Sequence, residues 1–171
     1  MKTKKIALLF AMGLLTVGAM AQAPKDVADI AIGSENHTTL VTAVKAADLV
    51  GTLKGKGPFT VFAPTNAAFA KLPAGTVEML LKPENKKMLA GILTYHVVAG
   101  NLDAAKVLAA IKTGMGKVTL TTVAGGKLTA MLQAGKVVLT DEKGGKSTVT
   151  ATDLKGTNGV VHVIDTVLMP K

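Results

Sequence analysis

The sequence predicts an α+β domain with its helices mainly in the N-terminal half and its strands in the C-terminal half. Three observations carry this. Apolar residues recur at helical spacing up to about Ile111 and at alternate positions from Val118 onward. Glycine-containing pairs interrupt the alternating region at intervals suited to hairpins. No helical pattern lies between successive strands there, as a parallel sheet would need.

Taken in order, Leu40, Val41, Val44 and Ala47 place one apolar face on a helix from His37 to about Val50, with Ser34 or Asn36 near its start and Gly51 and Gly55 marking its exit. Phe59 to Ala63 is a short β-type run that Pro64 stops, and Thr65 is placed to cap a helix through Phe69 and Leu72. A small helix follows near Thr76 to Leu81. Pro83 and Glu84 then suit the first turn of another, since proline's missing N–H has no helical partner there and the acid faces the positive helix end. Met88, Leu89, Ile92 and Leu93 form its apolar stripe, which runs on into Tyr95-His96-Val97-Val98. Ala104, Val107, Leu108 and Ile111 make one more helix. The alternating runs come next: Val118, Leu120 and Thr122; Leu128, Ala130 and Leu132; Val137 and Leu139; Val149 and Ala151; Val161, Val163 and Val167. Gly125-Gly126, Ala134-Gly135, Gly144-Gly145 and Asn158-Gly159 separate them into a meander, and Phe59 to Ala63 is expected to close the sheet against the C-terminal run.

The N-terminus reads as a secretory signal. Lys2, Lys4 and Lys5 precede an apolar run from Ile6 to about Val17, and Ala19 and Ala21 satisfy a small-x-small cleavage pattern. The run is several residues short of the roughly 20 that span a bilayer. Cleavage after Ala21 is expected; a lipid-anchored form would need a cysteine, and the chain has none. Removing 21 of 171 residues leaves one domain, residues 22–171, long enough to bury roughly 70% of its unfolded surface. Without cysteines, packing alone must stabilise it in an oxidising compartment, either extracellular or periplasmic.

The mature chain carries 17 lysines against 11 acids, a net charge of +6. Every basic residue is lysine. With no arginine fork and only five aromatic residues in the full sequence, one of them in the signal segment, the composition argues against nucleic-acid binding and for a solvated basic surface. Weak attraction to acidic polysaccharide or an anionic cell surface fits that charge.

Reaction chemistry finds little to work with. Ser34 and Ser147 both fall in polar, turn-like stretches and neither sits in a nucleophile elbow. His37, His96 and His162 form no short-spaced pair, so no metal site is expected, and His96 and His162, flanked by apolar residues, read as hydrogen-bonded core residues. Gly51, Gly55 and Gly57 match no phosphate-loop or dinucleotide pattern. The acids sit beside lysines or at helix starts, where solvation or capping explains them. No catalytic residue, metal or cofactor is expected.

Three segments, in order, resemble the fasciclin domain family. Gly57-Pro58-Phe59-Thr60-Val61-Phe62-Ala63-Pro64-Thr65-Asn66-Ala67-Ala68-Phe69 is similar to its first signature, Tyr95-His96-Val97-Val98 to the segment between signatures, and Asn158-Gly159-Val160-Val161-His162-Val163-Ile164-Asp165 to the second. The similarity spans about Val27 to Pro170. It implies a β-wedge or sandwich with helices packed on one side, no catalytic residues, and an association with cell adhesion and matrix contact. Phe59, Val61, Val161 and Val163 are then expected to pair across strands and Asn66 to bond backbone near a helix start.

Contact segments of animal relatives carry over only in part. Asn85, Lys86 and Leu89 match one segment whose acid is replaced here by Lys87; Asp153 and Leu154 resemble another without its neighbouring glutamate and proline; Tyr95 and His96 correspond to a third. The expected function is a secreted or periplasmic, monomeric, non-enzymatic binding protein whose partner is a cell-surface or matrix protein or polysaccharide. The alternative is a periplasmic small-ligand carrier using an apolar cleft between helices and sheet, with Met79, Met88 and Met115 as wall residues.

Overall fold

The structure is a computed structural model and describes residues 24–171; the signal segment expected at residues 1–21 lies outside the described residues. Six helices come first around two strands: α1 Val27–Ile32, α2 Thr38–Ala46, α3 Val50–Leu53, β1 Phe59–Pro64, α4 Asn66–Ala70, α5 Thr76–Leu80, α6 Lys86–Tyr95 and β2 Val97–Ala99. Then come α7 Ala104–Thr113, β3 Lys117–Thr121, β4 Lys127–Gln133, β5 Lys136–Thr140, β6 Lys146–Gly156 and β7 Gly159–Ile164.

The helix ends have local chemical causes. Asp26 starts α1 with a capping box, its carboxylate accepting from Asp29 N while Asp29 reaches back to the Asp26 N–H. Thr65 accepts from Ala68 N to cap α4, as its position predicts. The expected helix to Val50 stops at Ala46 instead. Asp48 adopts φ 59°, Asp48 N–H bonds Lys45 O at 3.1 Å and Leu49 N–H bonds Val44 O at 3.0 Å, so a left-handed cap built on aspartate ends α2 and Gly51 falls inside α3. Pro83 opens a 3-10 turn, Pro83–Asn85, that leads into α6.

One seven-stranded sheet runs in the order β2-β1-β7-β6-β5-β4-β3. It is antiparallel except where β1 meets β7, whose parallel register sets Val61 opposite Val161, Phe62 opposite His162 and Ala63 opposite Val163. Val61 and Val161 therefore pair as expected, while Phe59 stands opposite Gly159 and Val163 opposite Ala63. A bridge between Val98 and Thr122 and a 2.7 Å bond from Val123 N–H to Val97 O join β2 to the end of β3, so the sheet nearly closes into a wedge.

Two cores share the β1–β7 pair. Leu40, Val44, Leu89 and Leu93 of the helical layer pack on Val61, Ala63 and Val161. Inside the wedge, Val107 and Ile111 of α7 pack on Phe62, Leu128, Leu139 and Ile164. Because both faces are covered, every residue of β7 is buried and the alternation expected from Val161 and Val163 alone does not appear there. Ser147, expected in a turn, is likewise a buried β6 residue whose hydroxyl donates to Thr166 O at 2.8 Å.

Candidate functional site

The two signature asparagines act as braces between elements. Asn66 Oδ1 accepts from Thr39 N–H at 3.0 Å and from the Thr38 hydroxyl at 3.2 Å, and its amide donates to Glu35 O, so it fixes the start of α2 rather than of its own helix. Asn158, in the β6–β7 turn, accepts from Val27 N–H at 3.0 Å and donates to Leu53 O and Gly55 O at 2.7 and 2.9 Å. One side chain thus ties α1, α3 and the sheet together. Gly159 beside it must be glycine, because a Cβ there would overlap the Phe59 carbonyl.

Tyr95 and His96 form the second constellation. The Tyr95 hydroxyl donates to Lys127 O at 2.7 Å and accepts from Glu142 N–H at 3.2 Å, linking the start of β4 to the β5–β6 turn. Burial raises its pKa, opposed by that Glu142 N–H. A Cβ at Gly126 would lie 2.5 Å from the Tyr95 ring, so the glycine pair of this hairpin also makes room for the aromatic side chain. His96 donates from Nδ1 to Ile92 O at 2.8 Å and accepts from Leu168 N–H on Nε2 at 3.0 Å. Burial holds its pKa down to about 4, only partly opposed by the Ile92 carbonyl and the Asp141 carboxylate.

His162 is bound the other way round. Its Nε2 donates to Leu102 O at 2.7 Å, its Nδ1 faces Asp153 N–H at 3.4 Å, and its ring stacks on Phe62. The two rings therefore meet the backbone with opposite nitrogens, His96 donating from Nδ1 and His162 from Nε2. Sequence reasoning missed one contact, Ser34 Oγ to His37 Nδ1 at 2.8 Å. No carboxylate orients the other nitrogen of that buried ring, so a hydroxyl–imidazole pair is present without a triad. Among the described residues, no group of three or more His, Cys, Asp or Glu side chains converges as a metal site.

Of the contact candidates, Leu89, Tyr95 and His96 are buried at 2%, 0% and 3% exposure. A side chain without accessible surface cannot touch a partner, so Leu89 and Tyr95 are not surface contacts, and His96 is the hydrogen-bonded core residue its apolar flanks indicate. Asn85 is half-buried with its amide on Met79 O, and exposed Lys86 lies 3.8 Å from Asp48. Exposed Asp153 sits in an irregular stretch of β6 at φ 60° and accepts from Ala104 N–H at 2.8 Å, so its carboxylate holds the start of α7; Leu154 beside it is exposed. The two surface segments lie on different elements, α6 and β6, and are not brought together.

An apolar cleft does lie between helices and sheet. Val27, Leu40, Val44 and Leu53 face Phe59 and Val97 across it, Ile32 and Val123 are exposed members of its lining, and only Thr52, Thr94 and His96 are polar. Met79, Met88 and Met115 do not line it. They are 50%, 58% and 96% exposed, which corrects their expected role as its walls. Its volume is about 50 Å³, a third of the roughly 150 Å³ of an engineered apolar cavity that binds benzene.

The result is a nearly closed wedge with a helical cover, in which His96, His162 and Tyr95 are committed to backbone bonds. The Fasciclin domain family model matches residues 35–170, and the chain belongs to that family. "Protein sll1483" of Synechocystis sp. is 48% identical over 176 residues, covering 94% of this chain and 91% of that protein. "Cell surface glycolipoprotein MPB83" of Mycobacterium bovis is 39% identical over 160 residues, covering 91% and 64%. Among solved structures, the FAS1 domain pair of the insect cell adhesion molecule Fasciclin I superposes with a TM-score of 0.73 at 21% identity, over 85% of this chain and 51% of that one, a likeness of fold.

Proposed function

We propose that the protein is a non-enzymatic binding protein of the periplasm or cell exterior, making contact with cell-surface or matrix material. The observation that carries this reading is where the polar groups stand: His96, His162 and Tyr95 are internal braces, and the accessible groups include a lysine-rich surface and the Asn85–Lys86 segment. Membership of a family with cell-surface and adhesion proteins supports it. Binding of the domain 22–171 to intact cells of its own source, measured across a salt series, tests it. Saturable binding is expected; absence of binding to any cell or matrix preparation overturns it.

The cleft favours a second reading, retention of a small apolar ligand. At about 50 Å³ it is well below the roughly 300 Å³ at which ordinary ligand pockets begin, so a retained ligand would be small. Native mass spectrometry of protein purified from its own envelope tests this reading, which requires a retained mass.

A further inference from the structure

We infer that the outer face of the β3–β6 sheet is a docking surface for an acidic polysaccharide. This rests on the surface-contact reading above and names its partner class.

The face is assigned by strand parity. Leu120, Leu128, Leu139 and Val149 point into the wedge core, so the residues one position away along each strand point outward. Lys117, Lys127, Lys136 and Lys146 are all outward and all exposed. Thr119, Thr129, Thr140 and Lys146 stand in one cross-strand row, and Met131, Val138 and Thr148 in the next. No outward position on these four strands is an acid.

The nearby carboxylates are already occupied. Asp141 accepts from the N–H groups of Lys143, Gly145 and Met169; Glu142 accepts from Lys127 N–H; Asp153 accepts from Ala104 N–H. The five ion pairs among the described residues use Lys54, Lys71, Lys86 and Lys106, none of them on this face. Four ammonium groups therefore stand over a face whose local acids are turned to backbone.

Strand geometry sets Lys117–Lys127 and Lys136–Lys146 about 14 Å apart and Lys117–Lys136 and Lys127–Lys146 about 12 Å apart, measured between Cα atoms. The lysines mark the corners of a patch whose part-exposed centre is Thr129, Met131 and Thr148, Val138 and the Thr140 hydroxyl being buried beneath them. The face has no arginine fork for phosphate and no aromatic residue to stack on bases, which argues against nucleic acid. Exposed ammonium groups set apart in this way suit a polymer of spaced carboxylates, with its hydroxyls on Thr129 and Thr148 and its ring C–H faces on Met131. No exposed bulky apolar side chain lies among the outward positions, as insertion into a lipid surface would require.

The test compares two variants of equal charge. One carries Lys117→Gln, Lys127→Gln, Lys136→Gln and Lys146→Gln; the other carries Lys45→Gln, Lys56→Gln, Lys82→Gln and Lys87→Gln, at exposed lysines elsewhere that form no ion pair. Binding is measured to alginate, to uncharged dextran, to vesicles of equimolar phosphatidylcholine and phosphatidylglycerol, and to intact cells. The expected result is saturable binding to alginate and to cells, both weakened about tenfold in the first variant and less than twofold in the second, with no binding to dextran. Equal losses in the two variants, a preference for vesicles, or no alginate binding by the unmodified protein each overturn the inference. Cell binding that survives in the first variant overturns the inference but leaves the surface-contact reading standing; no cell binding by the unmodified protein removes both.

Discussion

His96 and Asn158 are the residues whose removal has the most specific consequences. With the folded pKa of His96 near 4 and the ordinary value near 6.5, both folded and unfolded chains carry a neutral ring above pH 6.5. As the pH falls from 6.5 to 4, the unfolded chain takes up a proton that the folded chain refuses, so stability present at neutral pH is lost across that window, by about 3 kcal/mol in total. Burial lowers the pKa of His37 as well, in the same direction. Urea midpoints are therefore expected to fall steadily between about pH 7 and pH 4.5, and His96→Gln to be less stable at pH 7 yet flatter across the window. An unchanged slope in that variant would place the titration elsewhere. For Asn158→Ala the expected loss is about 2–4 kcal/mol, since it strands the Val27 N–H and two carbonyls; Asn158→Asp is expected to fare no better, because it sets a charge against the same carbonyls. Equilibrium unfolding of both variants measures this.

Element positions were largely legible and element ends less so. The hairpin glycines separate β3 through β7 as the sequence indicates, because a turn's need for positive φ is local chemistry. Ala134 and Gly135 form the β4–β5 turn at φ 50° and 78°, a conformation that costs alanine and suits asparagine. Ala134→Asn is expected to raise stability by about 0.5–1 kcal/mol, seen as a higher thermal midpoint with unchanged far-ultraviolet circular dichroism. Three elements escaped the sequence reading: α1 and α3, each too short to show a full apolar period, and β2, whose Val97 and Val98 read as a continuation of the α6 stripe. The exit of α2 was misplaced because an aspartate, not a glycine, takes its left-handed cap. Asp153 likewise looked like a contact residue, since only its three-dimensional neighbour, the Ala104 N–H, reveals that it holds α7.

For the whole molecule, the sharing of β1 and β7 between two cores has a thermodynamic consequence. Phe62 and Ile164 point into the wedge while Val61 and Val161 point to the helices, so neither core survives the loss of the other's strands. Unfolding is expected to be a single transition by fluorescence, circular dichroism and calorimetry alike. Phe62→Ala is expected to cost about 3–5 kcal/mol and to lower protection from hydrogen exchange in α2 and α6 as well as in β4 and β5. Selective loss in the wedge alone would show that the cores are independent.

By itself the sequence determined the fold class, the order of helices before strands, the meander and the family, because periodicity, glycine turns and contiguous signatures are written along the chain. Only the tertiary structure decided which residues serve as braces and which as surface. Tyr95, His96 and Leu89 resemble contact residues in one dimension and are buried in three; Asn66 and Asn158 bond elements remote in sequence; and the four outward lysines of β3–β6 become one patch only when their strands align. Burial and long-range pairing depend on what the chain packs against. That is a property of closure, which no local pattern contains.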